Sequence, residues 1–230
     1  VGDLLFTIIQ NGDQSGIATY RIKDGKAKQL DTYFHEGAAP CYISVDSQKH
    51  LVFTANYHLA TINVFSYDEN GKLTFITNDT HEGHGPRAEQ DQAHPHFFDE
   101  TPAGNLVSCD LGIDAVDFYK LDGDKLKHLA RYQMENGFGT RHLVFSPDGK
   151  TMYIVGELSS QVNVARLNEN TWKFEDVATY KTIPDDFSDH NGAAAIRISK
   201  DGKFIYISNR GHDSITVFKV LDDGKLELVQ

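Results

Sequence analysis

The strongest constraint on this chain is that it repeats itself. The segments PHFFDETPAGNLVSCDLGIDAVDFYKL (95–121), RHLVFSPDGKTMYIVGELSSQVNVARL (141–167) and AAIRISKDGKFIYISNRGHDSITVFKV (194–220) follow one template. A short apolar strand leads into a turn at Ala103-Gly104, Asp148-Gly149 or Asp201-Gly202. A second strand, a polar turn and a third, alternating strand follow. A weaker fourth strand comes after another Gly turn, as in DGDKLKHLARY (122–132). CYISVDSQKHLVFTANYHLATINVFSY (41–67) fits without the Gly, and residues 3–22 supply the second and third strands of one more unit. Matched third-strand positions fall at Tyr20, Phe65, Tyr119, Ala165 and Phe218, a spacing of 45 to 54 residues. Four antiparallel strands at such a period are the signature of propeller blades. Alternating Val, Ile, Phe and Tyr between Gly turns argues for strands, and no window sustains a helical period.

The expectation is an all-β propeller of four-stranded antiparallel blades, one domain over residues 1–230, with about five blades present. A β-sandwich would give many short strands but not this long period. The chain opens at Val1 with LLFTII already under way and stops inside a fourth strand. The reading therefore expects further blades, a first and a last, beyond this stretch. Exposed blade edges would allow self-association.

Charge narrows the partners. The formal charge is −11, which disfavours nucleic acid and anionic membrane. No apolar run approaches the roughly 18 residues of a membrane helix. The two cysteines, Cys41 and Cys109, lie in apolar runs and read as buried thiols of a reducing, cytoplasmic compartment.

Propeller geometry then sorts the polar residues. The first strand of each blade lines the central channel, and the second strand runs back to the face where the first began. First-strand starts and second-strand ends thus meet at one mouth. The starts carry His94, His96, Arg141, His142 and Asn191; the ends carry Asn56, Tyr57, Asp110, Glu157, Asn209 and Arg210. The opposite strand ends are plain turns such as SPDGK and SKDGK. Convergent polar groups at the centre of a rigid scaffold mark a ligand site. For any one of them, solvation of a wet channel mouth is the simpler explanation; the combination of His, Arg, Glu and Arg at matched positions is harder to explain that way.

The chemistry follows from the residue types. A neutral His near pH 7 can exchange a proton with water or a carbon acid. Two Arg forks in an acidic protein imply a small anionic substrate. Glu157 could orient one Arg or carry a proton. No G-x-S-x-G elbow, Gly-rich phosphate loop or dinucleotide fingerprint appears, so no organic cofactor is implied. His81, His84, His94 and His96 lie close in sequence, but H-x-x-H and H-x-H pairs without context are weak metal signals; no metal is expected. Residues 78–93 read as a long polar loop across the mouth.

The stretches APCYISVD, ANYHLATINVF, HEGHGPRAEQDQAHPH, DLGIDAVDFYKL, RHLVFSPDGK, GELSSQVNV, NGAAAIRIS and SNRGHDSITVF resemble the lactonase family of seven-bladed β-propellers from residue 39 onward. That family includes cytosolic 6-phosphogluconolactonases and carboxymuconate-lactonizing enzymes. The resemblance implies seven blades and, from the muconate-lactonizing branch, an active site of a His, an Arg, a Glu and a second Arg at the channel mouth. These map onto His96 or His94, Arg141, Glu157 and Arg210. His142, Asn209, Asn56, Tyr57, Arg87, Asp110 and Asn191 are the accompanying substrate-binding candidates. The implied reaction is hydrolysis of an anionic sugar lactone, 6-phosphogluconolactone first, with His96 or His94 activating water. Muconate cycloisomerisation on the same residues is the alternative. A non-catalytic propeller holding a small anion or a protein at its mouth is the rival of another class.

Overall fold

A computed structural model describes residues 2–230. Nineteen strands among the described residues form five antiparallel sheets, each built from strands consecutive in the chain. The first has three strands: β1 (Leu4–Asn11), β2 (Gln14–Lys23) and β3 (Lys26–Glu36). The other four have four strands each. They are β4 (Tyr42–Asp46), β5 (Leu51–Asn56), β6 (Thr61–Tyr67) and β7 (Leu73–Thr80); β8 (Pro95–Glu100), β9 (Leu106–Asp110), β10 (Ala115–Asp122) and β11 (Lys125–Gln133); β12 (Thr140–Phe145), β13 (Thr151–Gly156), β14 (Gln161–Asn168) and β15 (Lys173–Lys181); and β16 (Gly192–Ile198), β17 (Phe204–Arg210), β18 (Ser214–Val220) and β19 (Leu226–Leu228). These are the propeller blades that the repeat predicts. One 3₁₀ turn, Ala88–Gln90, interrupts the loop before β8.

Alternation places the core. Side chains on successive strand residues point to opposite faces. In β13, Met152 and Ile154 join Phe97, Val107, Cys109 and Phe118 of the preceding blade, whereas Tyr153 and Val155 join Ile196, Ile205 and Ile207 of the next. The same division recurs in β5, where Phe53 and Ala55 pack on Phe98 and Tyr119 while Val52 packs on Ile17 and Phe6. Every residue of β5 and β9 is buried. The core is therefore four apolar layers between five sheets.

The repeat positions have a specific structural meaning. Pairing between the third and fourth strands slips at Thr19/Tyr20, Val64/Phe65, Phe118/Tyr119 and Val164/Ala165. A bulge increases local twist and bends the strand. Four of the five positions that define the sequence period are thus the points where the first four sheets bend their outer strands.

The first strands β4, β8, β12 and β16 touch one another in chain order, as strands around a common axis must. Hydrogen bonds cross between them: Ser44 Oγ donates to Phe98 O at 2.8 Å and the Tyr42 hydroxyl to Asp99 Oδ2 at 3.1 Å.

Phe98 is fully buried between two blades, edge-on to Phe53 at 5.6 Å. Phe98→Ala opens a cavity that two sheets must close together. It is expected to lower unfolding free energy by about 3–5 kcal/mol in urea titrations. A loss below about 1 kcal/mol would mean that the blades do not share this layer.

Candidate functional site

The site begins with two irregularities in strand pairing. In β8 the register passes from Pro95↔Asp110 to Phe97↔Cys109, leaving His96 unpaired. In β12 it passes from Thr140↔Gly156 to His142↔Val155, leaving Arg141 unpaired. An extra residue in one strand re-aims its side chain. His96 and Arg141 are therefore bulge residues at the same level of neighbouring innermost strands. Glu157 and Arg210 arrive from the other direction, at or just beyond the ends of β13 and β17.

The three charged groups form a chain of contacts. Arg141 Nε lies 2.7 Å from Glu157 Oε2, and Arg210 contacts Glu157 Oε1 with an Nη atom at 2.5 Å. One carboxylate thus bridges two guanidiniums. Gly192 makes room for this: a Cβ there would stand 3.1 Å from the Arg210 guanidinium and 3.5 Å from Glu157 Cγ. Arg141 is mostly buried and Arg210 half-exposed, so the pair forms a cationic wall with one deep and one open end. Burial lowers the Arg141 pKa, Glu157 opposes that shift and Arg210 adds to it. An Arg in this position is nonetheless always a cation.

His96 is held next to this wall. Burial, then the Arg141 charge, brings its pKa down to about 3. Its Nδ1 is 3.1 Å from Nε2 of His142. His142 is buried behind it between Tyr42 and Phe97, ring centroids 5.3 and 5.6 Å away, and burial together with Arg141 brings its pKa down to about 2. Both rings are neutral near pH 7. Tyr57 stands edge-on to His96 at 6.0 Å; burial, then Glu157, pushes its phenol up to about 12.

The remaining predicted residues are placed differently. His94 is buried, and both its ring nitrogens are engaged: Nδ1 with Tyr57 O at 2.8 Å and Nε2 with Asp91 Oδ1 at 2.9 Å. Its ring stacks on Tyr57 at 3.9 Å and supports that side chain from below. Of the two sequence candidates, His96 is the one among the charged groups. Asn56, Asp110, Asn191 and Asn209 are buried and close blade corners. Asn56 donates to Ala38 O at 2.7 Å and accepts from Leu59 N at 3.0 Å. Asp110 accepts from the backbone of His94 and Gly112 and from His81. Asn209 and Asn191 bond each other, Thr182 O and Ser160 Oγ. Their recurrence reflects the need to fix each entering strand to the sheet end. Arg87 is exposed, packs against Gly137 and makes no ion pair among the described residues. Cys109 is buried as expected, whereas Cys41 is exposed as a residue: it precedes β4, at the position matching His96 and Arg141, but its Sγ turns onto Ala55 O at 3.5 Å and burial pushes the thiol up to about 11.

Sequence reasoning missed how the 81–94 loop is held. Gln90 is fully buried and donates to Leu111 O at 2.8 Å and Asp114 Oδ1 at 2.7 Å. The Asp114 carboxylate also accepts from Gly137 N and Gly139 N. Gly112 lets the loop press close, since a Cβ there would fall 1.8 Å from Gln92 O. His81 points inward, Nδ1 on Asp110 at 2.7 Å and Nε2 on the Tyr119 hydroxyl at 2.9 Å. His81, His84, His94 and His96 do not converge, and no group of three metal-ligating side chains forms among the described residues. The only hint in the sequence is polarity itself: a Gln and an Asp flanking apolar strands.

The lactonase family profile, described as a seven-bladed beta-propeller, matches residues 1–230. A protein from Lactobacillus plantarum, known from its crystal structure, superposes with a TM-score of 0.96 at 44% identity, over 99% of this chain and 67% of that one. The 6-phosphogluconolactonase of Bacillus subtilis is 37% identical over 99% of this chain and 66% of its own length. The periplasmic gluconolactonase of Pseudomonas aeruginosa superposes with a TM-score of 0.90 at 27% identity, over 99% of this chain and 68% of that one. The chain spans about two thirds of the length of these relatives. Blade repeat, strand order and the match over residues 1–230 agree: the chain belongs to the lactonase family of seven-bladed β-propellers.

Proposed function

We propose that this mouth hydrolyses a small anionic sugar lactone, with 6-phosphogluconolactone the first candidate and 6-phosphogluconate the product. The observation that carries the reading is the bridge of Arg141 and Arg210 by Glu157 beside uncharged His96. Two cations against one carboxylate leave a local positive charge in a chain whose formal charge is −11. Such a site favours a substrate that brings its own anion, a phosphate or a carboxylate. Among the relatives, the Bacillus subtilis protein is a 6-phosphogluconolactonase and the Pseudomonas aeruginosa protein a gluconolactonase. Their names supply the sugar lactone; the two Arg residues favour its charged form. A cytoplasmic location belongs to the same proposal and fits two free thiols.

In this reaction water adds to the lactone carbonyl carbon, the ring C–O bond breaks, and the ring oxygen leaves as a hydroxyl. The guanidiniums hold the substrate anion and the charge that develops on the carbonyl oxygen. An anion paired with Arg141 and Arg210 also offsets the positive field that acts on His96. Two groups can take the proton of water, His96 and Glu157.

Decay of δ-6-phosphogluconolactone, followed by NMR with the full-length protein and corrected for spontaneous hydrolysis, tests this directly. Arg141→Ala and Glu157→Gln are each expected to lower kcat/KM by about 10²-fold or more. Arg210→Ala should raise KM more for the phosphorylated lactone than for gluconolactone. Unchanged turnover in the Arg141→Ala variant would end the catalytic reading. Solvent deuterium appearing on carbon would mark cycloisomerisation instead.

The neutral histidines give a second prediction. The folded state holds the His96 and His142 pKa values below the unfolded value, so the unfolded chain binds protons first as pH falls. Stability is full above about pH 6.5 and declines as pH drops toward 3. Between pH 7.5 and 5.5 the chain should lose about 1–2 kcal/mol more than a His96→Gln, His142→Gln double variant, after allowance for the partial exposure of His96. Parallel urea midpoints for the two proteins would show that these rings protonate normally in the fold.

A further inference from the structure

His142 sits behind His96, out of the anion cradle, yet it makes one of the few polar contacts that His96 has. Two neutral imidazoles at 3.1 Å share one proton between Nδ1 of His96 and Nε2 of His142. Either ring can be the donor, and the choice fixes what His96 shows to the mouth. If His96 donates through Nδ1, its Nε2 is a bare lone pair and can act as a base. If His142 donates through Nε2, the His96 proton must sit on Nε2, and His96 presents a donor.

The surroundings of His142 decide between them. Its Nδ1 is buried and has no hydrogen-bond partner among the described residues. Were His142 the acceptor at Nε2, its proton would lie on this orphaned Nδ1. A buried N–H without an acceptor is rarer and costlier than an unused lone pair. Tyr42 and Phe97, which flank the ring, offer at most weak π acceptance, and the backbone acceptor that acts on the ring is the carbonyl of His96, on the side of its contact with that residue. The charges acting on the ring include Arg141 and Arg197, which are donors with no acceptor. A lone pair on Nδ1 suits these neighbours; a proton there does not.

We propose that His142 is a positioning residue that fixes His96 with its proton on Nε2, so that His96 donates to the lactone carbonyl oxygen and Glu157 takes the proton of water. The mechanistic half rests on the hydrolase reading above; the tautomer assignment does not. As water oxygen bonds to the carbonyl carbon, its proton passes to a Glu157 oxygen. The carbonyl π pair moves onto oxygen and is held by the His96 Nε2–H. Collapse of this adduct expels the ring oxygen, which takes the proton back from Glu157. Nothing is oxidised or reduced, and Glu157 ends as a carboxylate. A neutral imidazole used as an electrophile in this way is established chemistry.

The ring nitrogens of the full-length protein, labelled with ¹⁵N-histidine and read by long-range ¹H–¹⁵N NMR near pH 7.5, test the assignment without substrate. Assignment comes from spectra of His96→Gln and His142→Gln. The expected result is a protonated Nε2 and an unprotonated Nδ1 on His96, and the same pattern on His142. A protonated Nδ1 on His96 would overturn the proposal. Turnover supplies the second arm. A Gln amide can replace an Nε2–H donor but cannot replace a base. His96→Gln should therefore retain about tenfold or more of the kcat left in His96→Ala. His142→Gln should keep more activity than His142→Phe, with the difference in kcat and not in KM. Equal inactivity of His96→Gln and His96→Ala in a protein whose unmodified form hydrolyses the lactone would also overturn it. Absence of lactone hydrolysis by the unmodified protein would remove the functional reading and the mechanistic half with it, while the nitrogen spectrum still decides the tautomer.

Discussion

The structure depends on burial of the middle strands on both faces. A blade alone would leave one apolar side of its sheet in water. Packed in series, each blade covers the next, and strands such as β5, β9 and β13 contribute alternate residues to two layers. Because a fully buried Val, Leu, Ile or Phe contributes roughly 1.5–3 kcal/mol, a layer of ten such residues outweighs any polar contact in the molecule. This serial packing places the first strands side by side around a common axis. The polar mouth is a consequence of that placement.

On this frame the site is made by small departures from regularity. His96 and Arg141 are reached through bulges, and Glu157 and Arg210 through strand ends. Regular pairing would turn the bulged residues with their neighbours, toward a blade interface or along the channel wall. The bulges add one residue each and so point a charged or polar group at the opening without disturbing the apolar alternation that follows. The scaffold keeps its core, and the site takes its geometry from the pairing slips at His96 and Arg141.

Support of the site is mostly buried. His142 lies behind His96, His94 under Tyr57, and the 81–94 loop is held by Gln90 and Asp114. Each is a polar group whose cost of burial is offset by hydrogen bonds to fixed partners. His142 is the exception, since one nitrogen lacks a partner among the described residues. An exception of this kind next to a charged cluster is where strain and chemistry tend to meet.

The five-unit repeat, the four-strand order within each unit and the face on which polar residues gather were all legible in the sequence, because they follow from periodicity and turn chemistry. So were Arg141, Glu157 and Arg210, which stand at strand ends that the repeat locates. The choice between His94 and His96 was not legible. Both belong to one HPH motif, and only a one-residue slip of pairing with β9, together with Asp91 three residues upstream and Tyr57 O arriving from the preceding blade, separates their roles. Nor could the sequence reveal that Asn56, Asp110 and Asn209 close corners, that Cys41 is exposed, or that His142 meets His96 across two blades. Local pattern determines which strands form and which way they face. Hydrogen bonds between residues far apart in the chain are set by how sheets dock, and that geometry exists only after the apolar layers have packed.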